Sequence, residues 1–477
     1  MASSCSAGLT TLSSCVCRRF ARKPEARPGL WSMTANGPRT RPRWAKTASH
    51  SCCRSSGSWV LSVMGSMRVM ALSGWVHLGV KDIVRRGLYT AGRPAYARSG
   101  WTWGCAECRA EVREGVKSMA VIDADTHVDE CEETWRYMPP EDVRHRPVTV
   151  VPTEDMGDGA PAPGYTRHWL IGGNLSIRRI RDDRRTGTTI DARELRNVQT
   201  RLRHMDEMGV DVHVMYPTMF LTYLTSDPHA QTAICKSYNR WMADRSSLSE
   251  GRLRWVAVLP MLDIEAAVDE MRWASEHGAC GVFKLATEMG RRVTDPYFFP
   301  VYQEANDLDL ALCMHTGSGD PPAGSSAPLL GDGVTGTNVI DAFHAIVFAG
   351  LAFRFPRLRF GFIEAGSSWI PFVVDRLYAR RERMAWAYRS FTYTDDLSDL
   401  FHEHRLYVTC QSQEDIPYLL KFGTEDHLMI GTDYSHADLS AEIGAIDILR
   451  RRADEGEFSQ TAKRKILEDN PKTFYGL

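Results

Sequence analysis

The chain has 477 residues, of which 43% are hydrophobic and 25% are charged, so it is long enough to bury a substantial core. Its 58 basic and 59 acidic residues nearly cancel, which excludes the overall basic excess typical of a nucleic-acid-binding protein. This balance hides a division near Met119: residues 1–118 carry 19 basic and 5 acidic residues, whereas residues 119–477 carry 39 and 54.

Residues 1–118 are predicted to be a disordered basic extension, because their apolar residues follow no period that would bury one face. Cys105 and Cys108 have the spacing of half a zinc site, but no second pair matches them. The Arg- and Ser-rich start is typical of a mitochondrial transit peptide, although the segment is much longer than that role needs. We therefore favour the interpretation that it is translated upstream sequence and that the folded protein starts at Met119.

Residues 119–477 contain eight short apolar runs, each followed by polar or helical sequence. Runs of this length are typical of strands that are buried on both faces of a parallel sheet. A strand and a helix repeated eight times predict an α/β protein with a (β/α)8 TIM barrel. The runs span residues 121–125, 210–216, 253–259, 278–285, 308–315, 358–364, 406–410 and 427–433.

The spacing of apolar residues directly predicts one of the helices between these strands. Leu195, Val198, Leu202, Met205 and Met208 recur every three or four residues, and the following glycine at 209 provides a C-terminal stop. A doubly wound open sheet is the competing architecture, but the first predicted strand is not followed by a glycine-rich phosphate turn.

An irregular segment runs from Cys131 to about Thr189 and is rich in proline, glycine and charge, including the alternating charges of residues 178–185. Such a charge run is usually a solvated face or an oligomer contact. We interpret the segment as an insertion after the first strand, over or beside the mouth of the barrel.

Five of the eight predicted strands end in an ionisable side chain. Barrel enzymes carry out their chemistry at the carboxyl ends of the strands. Unpaired buried charge is costly, and convergence on a metal ion would remove that cost. The side chains are Asp125 and His127 on the first strand, Lys284 on the fourth, His315 on the fifth, Glu364 on the sixth and Asp433 on the eighth.

Asp125 and His127 are two residues apart, so in a strand they project from the same face. A carboxylate oxygen beside an imidazole nitrogen suits zinc or manganese. Each of the other side chains also has an ordinary structural interpretation: His315 as a core histidine, Asp433 as a helix cap, Lys284 as a snorkelling side chain and Glu364 as an ion-pair partner.

Nearly all of residues 121–477 resemble the amidohydrolase superfamily, in the branch that includes aminocarboxymuconate-semialdehyde decarboxylase and gamma-resorcylate decarboxylase. The motifs are loose singly, but their order and spacing together are specific. They are Ile-Asp-Ala-Asp-Thr-His at 122–127, Met-Asp-Glu-Met-Gly-Val-Asp at 205–211, Tyr-Asn-Arg-Trp at 238–241, Leu-Pro at 259–260, His-Thr-Gly at 315–317, Phe-Pro-Arg-Leu-Arg-Phe at 355–360, Glu-Ala-Gly at 364–366, Gly-Thr-Asp-Tyr-Ser-His at 431–436 and the tail at 466–475.

This resemblance implies that Asp125, His127, His315 and Asp433 bind a single divalent ion, Zn2+ or alternatively Mn2+. Two departures from the family pattern stand out. Asp125 occupies the position of a histidine in the best-known members, so the site has a hard carboxylate oxygen ligand in place of an imidazole nitrogen. Glu364 occupies a position at which decarboxylases of this branch often carry a catalytic histidine.

Two related reactions fit such a site. In the first, which the resemblance slightly favours, a metal-dependent carboxy-lyase removes carbon dioxide from a small unsaturated or aromatic acid. In the second, water activated by the cation hydrolyses a C–N, C–O or C–C bond. Asp433 would move a proton, Glu364 or His436 would act as a second base or orient the ligands, and Lys284 would bind a substrate carboxylate. A non-catalytic barrel that serves as a binding or scaffold subunit is the third alternative.

The expected partner is a small molecule, with no nucleic acid and no membrane, and analogy with the family suggests a homodimer. Arg68 splits the apolar residues 58–80 into runs too short to cross a bilayer. The five cysteines after Met119 are isolated from one another in the sequence, as is typical of reduced thiols, so we expect a cytoplasmic protein.

Overall fold

The computed structural model describes residues 120–150, 167–178, 186–317, 319–320, 336–384, 397–436 and 441–477. In the N-terminal part it describes two strands, Met67–Ala71 and Gly74–Leu78, which pair antiparallel. The other residues of the predicted extension, including Cys105 and Cys108, lie outside the described residues, so its disorder stays a prediction. The chain divides into two units, residues 1–103 and 104–477.

Eight parallel strands form one sheet in the second unit, which confirms the predicted barrel. Each strand pairs with the next along the chain, from the first to the eighth. The backbone N–H of His127 donates to Tyr434 O at 2.8 Å and that of Asp433 donates to Asp125 O at 3.0 Å, so the eighth strand returns to the first. The strands are β1 (Ile122–His127), β2 (Val212–Tyr216), β3 (Leu253–Ala257), β4 (Ala279–Leu285), β5 (Ala311–His315), β6 (Phe360–Ile363), β7 (Leu406–Cys410) and β8 (Leu428–Ile430).

Helices connect the strands. Asp227 and Asp263 cap the helices that follow β2 and β3 by accepting backbone N–H groups of the first turn. The longer helices are α1 (Val198–Met208), α2 (Pro228–Ser247), α3 (Ile264–Glu276), α4 (Phe299–Asp307), α5 (Thr337–Ala349), α6 (Ile370–Arg383), α7 (Leu397–His404) and α8 (Ala445–Asp454). Shorter helical segments are Ile190–Arg193, Leu351–Arg354, Ile416–Leu419, Gln460–Arg464, Lys465–Asp469 and Asn470–Tyr475.

Helix α1 confirms the predicted stop but not the predicted start. Gly209 adopts the left-handed conformation, with φ of 66°, directly after the last helical residue. Leu195, however, precedes the helix, because Asn197 caps it and Leu195 itself has a positive φ of 47°. Leu195 is fully buried without being helical, so its place in the apolar spacing was misleading.

The insertion after β1 is less irregular than the sequence predicts. It contains a three-stranded antiparallel sheet of Val148–Val150, Arg167–Ile171 and Asn174–Arg178. This sheet lies against the loop that follows β2, where Asn174 Nδ2 donates to Leu224 O at 3.3 Å. Of the predicted charge run, residues 179–185 lie outside the described residues.

The barrel strands are almost wholly buried, as the continuous apolar runs predict; every residue of β1, β4 and β5 is inaccessible to solvent or nearly so. Within the part of the chain that the structure describes, no helix is both long and apolar enough to cross a membrane.

Candidate metal centre

Four side chains from the carboxyl ends of β1, β5 and the loop after β8 converge inside the barrel. His127 Nε2 lies 3.5 Å from both Asp125 Oδ1 and Asp433 Oδ1. His315 Nε2 lies 3.6 Å from Asp125 Oδ1 and 3.2 Å from His127 Nε2. All four side chains are buried. The ligand atoms of Asp125, His127 and His315 lie within 4.8 Å of one another, as do those of His127, Asp433 and His436. The four residues that the sequence predicts as ligands therefore meet around His127, and their role remains a prediction.

Backbone carbonyls fix which nitrogen of each imidazole faces this cluster. His127 Nδ1 lies 2.9 Å from Pro217 O, and His315 Nδ1 lies 3.0 Å from Thr316 O. A carbonyl oxygen only accepts, so each Nδ1 carries the hydrogen and donates it. In the neutral ring each Nε2 then has a lone pair that points into the cluster, which is the state in which imidazole binds a metal ion.

The cluster fits a divalent cation. It consists of acceptor atoms: two imidazole lone pairs and two carboxylates. Asp125 Oδ1 is buried and has no hydrogen-bond partner among the described residues. A buried acceptor without a donor is unfavourable unless a cation balances it. Nitrogen and oxygen donors of this kind are ligands for zinc or manganese.

Without an ion, the electrostatics of His127 and Asp125 favour the same state, whereas Glu364 and Asp125 outweigh burial and raise the pKa of His315. Burial, and then the neighbouring His436, lower the pKa of His127 to about 4, so its ring is neutral at physiological pH. Burial alone would raise the pKa of Asp125, but its interactions with His127 and His315 outweigh this and lower it. The carboxylate is therefore ionised beside a neutral imidazole.

Asp125 also depends on a glycine opposite it. A Cβ atom added to Gly431 would lie 2.6 Å from Asp125 Cβ, closer than two side chains can approach. In the Gly-Thr-Asp sequence at 431–433, Gly431 thus leaves space for the Asp125 carboxylate, and Asp433 provides the second carboxylate.

Glu364 and His436 lie next to the candidate ligands and contact them. Glu364 Oε2 accepts a hydrogen bond from Thr316 Oγ1 at 2.6 Å and lies 3.3 Å from His315 Nδ1. His436 Nδ1 lies 2.6 Å from Asp433 Oδ1, and its ring stacks on that of His127 with a centroid distance of 3.8 Å. Both residues therefore lie where they can orient ligands or exchange protons with them.

The two carboxylates that follow β6 and β8 sit on strained backbone. Glu364 has φ of 57° and Asp433 has φ of 52°, in the left-handed region that side chains with a Cβ rarely adopt. Such strain costs on the order of 1–3 kcal/mol and is concentrated at functional sites. Burial raises the pKa of Asp433 to about 7, and Glu364 contributes to this increase.

Lys284 lies apart from this cluster, and its predicted role in binding a substrate carboxylate stays a prediction. Successive residues of a strand face opposite sides, and Leu285, not Lys284, pairs with His315. The Lys284 ammonium donates to Glu288 Oε2 at 2.9 Å and lies 4.1 Å from the centre of the Phe298 ring, on the helix side of β4.

Two other buried charged residues support the site and were missed in the sequence. Arg201 on α1 donates to His127 O at 2.8 Å and to Thr126 Oγ1 at 3.0 Å. Glu130 accepts the backbone N–H groups of Thr218 and Met219. Neither follows an apolar run, and their partners lie 74 to 89 residues away, so no local pattern could reveal them.

A pocket opens at the ends of β3 and β4. Its wall is largely apolar and includes Phe220, Met261, Phe283 and Leu285. Phe283 also faces the candidate ligands, because its ring centroid lies 5.9 Å from that of His315. A smaller cavity borders Asp125, Glu364 and Asp433 directly.

Comparison with known proteins identifies a family that the sequence matches. A sequence model described as "Amidohydrolase" matches residues 122–477. A curated relative, 2-amino-3-carboxymuconate-6-semialdehyde decarboxylase of Dictyostelium discoideum, is 22% identical over 285 residues, which make up 58% of this chain and 76% of the relative.

Two solved structures share the fold. An amidohydrolase from Mycobacterium avium subsp. paratuberculosis is 18% identical with a TM-score of 0.59, over 76% of this chain and 99% of the other. The 5-carboxyvanillate decarboxylase of Novosphingobium aromaticivorans, crystallised with manganese and 4-hydroxy-3-methoxy-5-nitrobenzoic acid, is 18% identical with a TM-score of 0.53, over 76% and 97%.

Proposed function

The chain belongs to the amidohydrolase family, and on that premise we propose that it is a metal-dependent carboxy-lyase acting on a small unsaturated or aromatic carboxylic acid. The observation that carries the proposal is that His127 belongs to two buried groups of potential ligands inside the barrel, one with Asp125 and His315 and the other with Asp433 and His436. The decarboxylase among the curated relatives supports the lyase over other reactions of the family.

We propose that Asp125, His127, His315 and Asp433 hold one divalent ion. Zinc suits the two imidazoles and two carboxylates, and manganese is the alternative, supported by the manganese in the carboxyvanillate decarboxylase. A divalent ion held there would supply Lewis acidity that polarises a substrate carboxylate and an adjacent oxygen.

Asp433 and His436 are suited to deliver the proton that replaces the lost carboxyl group on carbon. Without an ion, burial raises the pKa of Asp433 to about 7, so in that state the carboxyl group takes up and releases a proton near neutral pH. His436 Nδ1, 2.6 Å away, can return a proton to it. Glu364 lies 3.7 Å from the same His436 nitrogen and keeps negative charge beside it.

Hydrolysis is the second candidate, because Glu364 occupies the position where decarboxylases of this branch often carry histidine. In that reaction Asp433 would take a proton from water rather than give one to carbon. The inactive scaffold is disfavoured, because none of the four ligand positions is apolar.

The largely apolar pocket supports a substrate with an unsaturated or aromatic body. We expect no nucleic acid or membrane partner, and a homodimer by analogy with the family. The five cysteines after Met119 are free and buried, which supports a cytoplasmic location.

The direct experiment is a substrate screen with zinc or manganese added. Aromatic and unsaturated carboxylic acids, amides and lactones are incubated with the protein, and carbon dioxide release and bond hydrolysis are followed in parallel. Release of carbon dioxide without hydrolysis supports the lyase. Hydrolysis alone supports the second candidate.

A further inference from the structure

One short loop after β2, residues 217–219, contacts two histidines of the candidate centre. Pro217 O accepts the hydrogen of His127 Nδ1 at 2.9 Å. Thr218 Oγ1 lies 3.3 Å from His436 Nε2. The two imidazole rings stack on each other, so the loop contacts both rings of the stacked pair.

A single buried carboxylate holds this loop. Glu130 Oε1 accepts the backbone N–H of Thr218 at 3.0 Å, and Glu130 Oε2 accepts that of Met219 at 2.8 Å. The Glu130 side chain is buried, and it comes only three residues after His127 in the chain. The carboxylate therefore links the strand end that carries His127 to the loop that orients the His127 ring.

We propose that Glu130 is a positioning residue that fixes the orientation and tautomer of His127 and His436 through the 217–219 loop. The inference rests on the proposed function in one respect, because it assumes that the oriented histidines serve a metal site. Glu130 itself touches neither substrate nor metal in this account. Neighbouring groups that orient metal-binding histidines typically contribute 10- to 100-fold to metal affinity.

The chemistry of the contact requires two acceptor oxygens. The N–H groups of Thr218 and Met219 are both donors, and the Glu130 carboxyl group offers one oxygen to each. Burial raises the pKa of Glu130 to about 7, and these two N–H groups oppose the increase. In Glu130→Gln one oxygen becomes an NH2 group, which would face an N–H donor and force the loop to shift. Glu130→Asp keeps both oxygens on a shorter side chain, so it should preserve part of the contact.

The experiment compares Glu130→Gln and Glu130→Asp with Glu132→Gln as the matched control. Glu132 lies in the same segment but is 61% exposed and pairs with Arg178, so its substitution makes the same chemical change away from the loop. Affinity for zinc alone and for manganese alone is measured by competition with a chelating dye. The ring nitrogens of His127 and His436 are observed by 15N NMR in metal-free protein.

We expect metal affinity to fall 10- to 100-fold in Glu130→Gln, to lie between this and wild type in Glu130→Asp, and to stay within twofold of wild type in Glu132→Gln. In the NMR spectra His127 should carry its hydrogen on Nδ1 in wild type and control, and should lose this preference in Glu130→Gln. Wild-type affinity together with an unchanged His127 tautomer in Glu130→Gln would overturn the proposal.

A second variant keeps the test decisive if Glu130→Gln does not fold. Thr218→Val removes the hydroxyl beside His436 but leaves Pro217 O in place. We expect it to change the His436 ring signals and not those of His127; unchanged His436 signals would contradict the role of the loop. If the wild-type protein binds neither metal, the proposed function is wrong. The His127 and His436 ring signals of metal-free Glu130→Asp still test the positioning role of Glu130 in that case.

Discussion

His127 Nε2 lies 3.2 Å from His315 Nε2, although the two residues are 188 positions apart in the chain. Each ring donates its Nδ1 hydrogen to a backbone carbonyl, so when both rings are neutral the two facing nitrogens both carry lone pairs. Two lone pairs at this distance repel each other unless a positive charge lies beside them. The two carboxylates around them add to the need for a cation.

Removing one of these rings should abolish metal binding without unfolding the protein. We expect His315→Ala to lose stoichiometric metal and measurable turnover, because one nitrogen ligand disappears from a site with four. The control is His277→Ala, an exposed histidine beyond α3. Metal analysis, circular dichroism and an activity assay check the prediction. Wild-type metal content in His315→Ala would remove His315 from the ligand set.

Glu364→Gln should impair turnover without loss of metal. The variant keeps an acceptor for Thr316 Oγ1 but removes the negative charge beside His315 and His436. We expect kcat to fall roughly 10²- to 10⁴-fold, the range typical of acid–base groups. Glu265→Gln, at an exposed position of α3, is the matched control. A kcat within twofold of wild type would exclude Glu364 from proton transfer.

Lys284→Met should affect stability rather than metal binding. Lys284 is fully buried and pairs with Glu288, so its loss leaves a carboxylate without its cation. We expect the free energy of unfolding to fall by roughly 3 kcal/mol. The double variant Lys284→Met/Glu288→Gln should recover most of this loss. Loss of metal from a folded Lys284→Met protein would contradict the placement of Lys284 outside the cluster.

Asp123 should make stability depend on pH. Burial raises its pKa from 3.8 to about 7, although hydrogen bonds from Thr432 oppose this effect. The folded state therefore favours the protonated form, and this contribution is full below pH about 4 and lost as the pH rises to about 7. Asp123→Asn should lack this decline. Chemical unfolding from pH 4 to 8, with a chelator present, measures the difference; parallel curves for the two proteins would refute it.

The sequence predicts the strands well because each is buried on both faces. The run at 406–410 coincides with β7, whereas the run at 427–433 extends three residues beyond β8, since its polar end is already the loop that carries Asp433. The same burial explains why the sequence does not show that Lys284 lies apart from the candidate ligands. In a strand that is apolar on both faces, hydrophobicity does not reveal which residues face the barrel interior.

The candidate ligands were accessible to sequence reasoning because each directly follows an apolar run. Glu130 and Arg201 were not, because each acts through hydrogen bonds to backbone or side chains that folding brings from distant positions. The strained φ of Glu364 and Asp433 likewise becomes visible only in three dimensions.

Metal stoichiometry of the purified protein, read beside that of Asp433→Ala, tests the central claim most directly. We predict close to one zinc or manganese ion per wild-type chain and markedly less in a folded Asp433→Ala variant that has also lost turnover. A folded wild-type protein that takes up no divalent ion after dialysis against zinc and manganese would contradict the account.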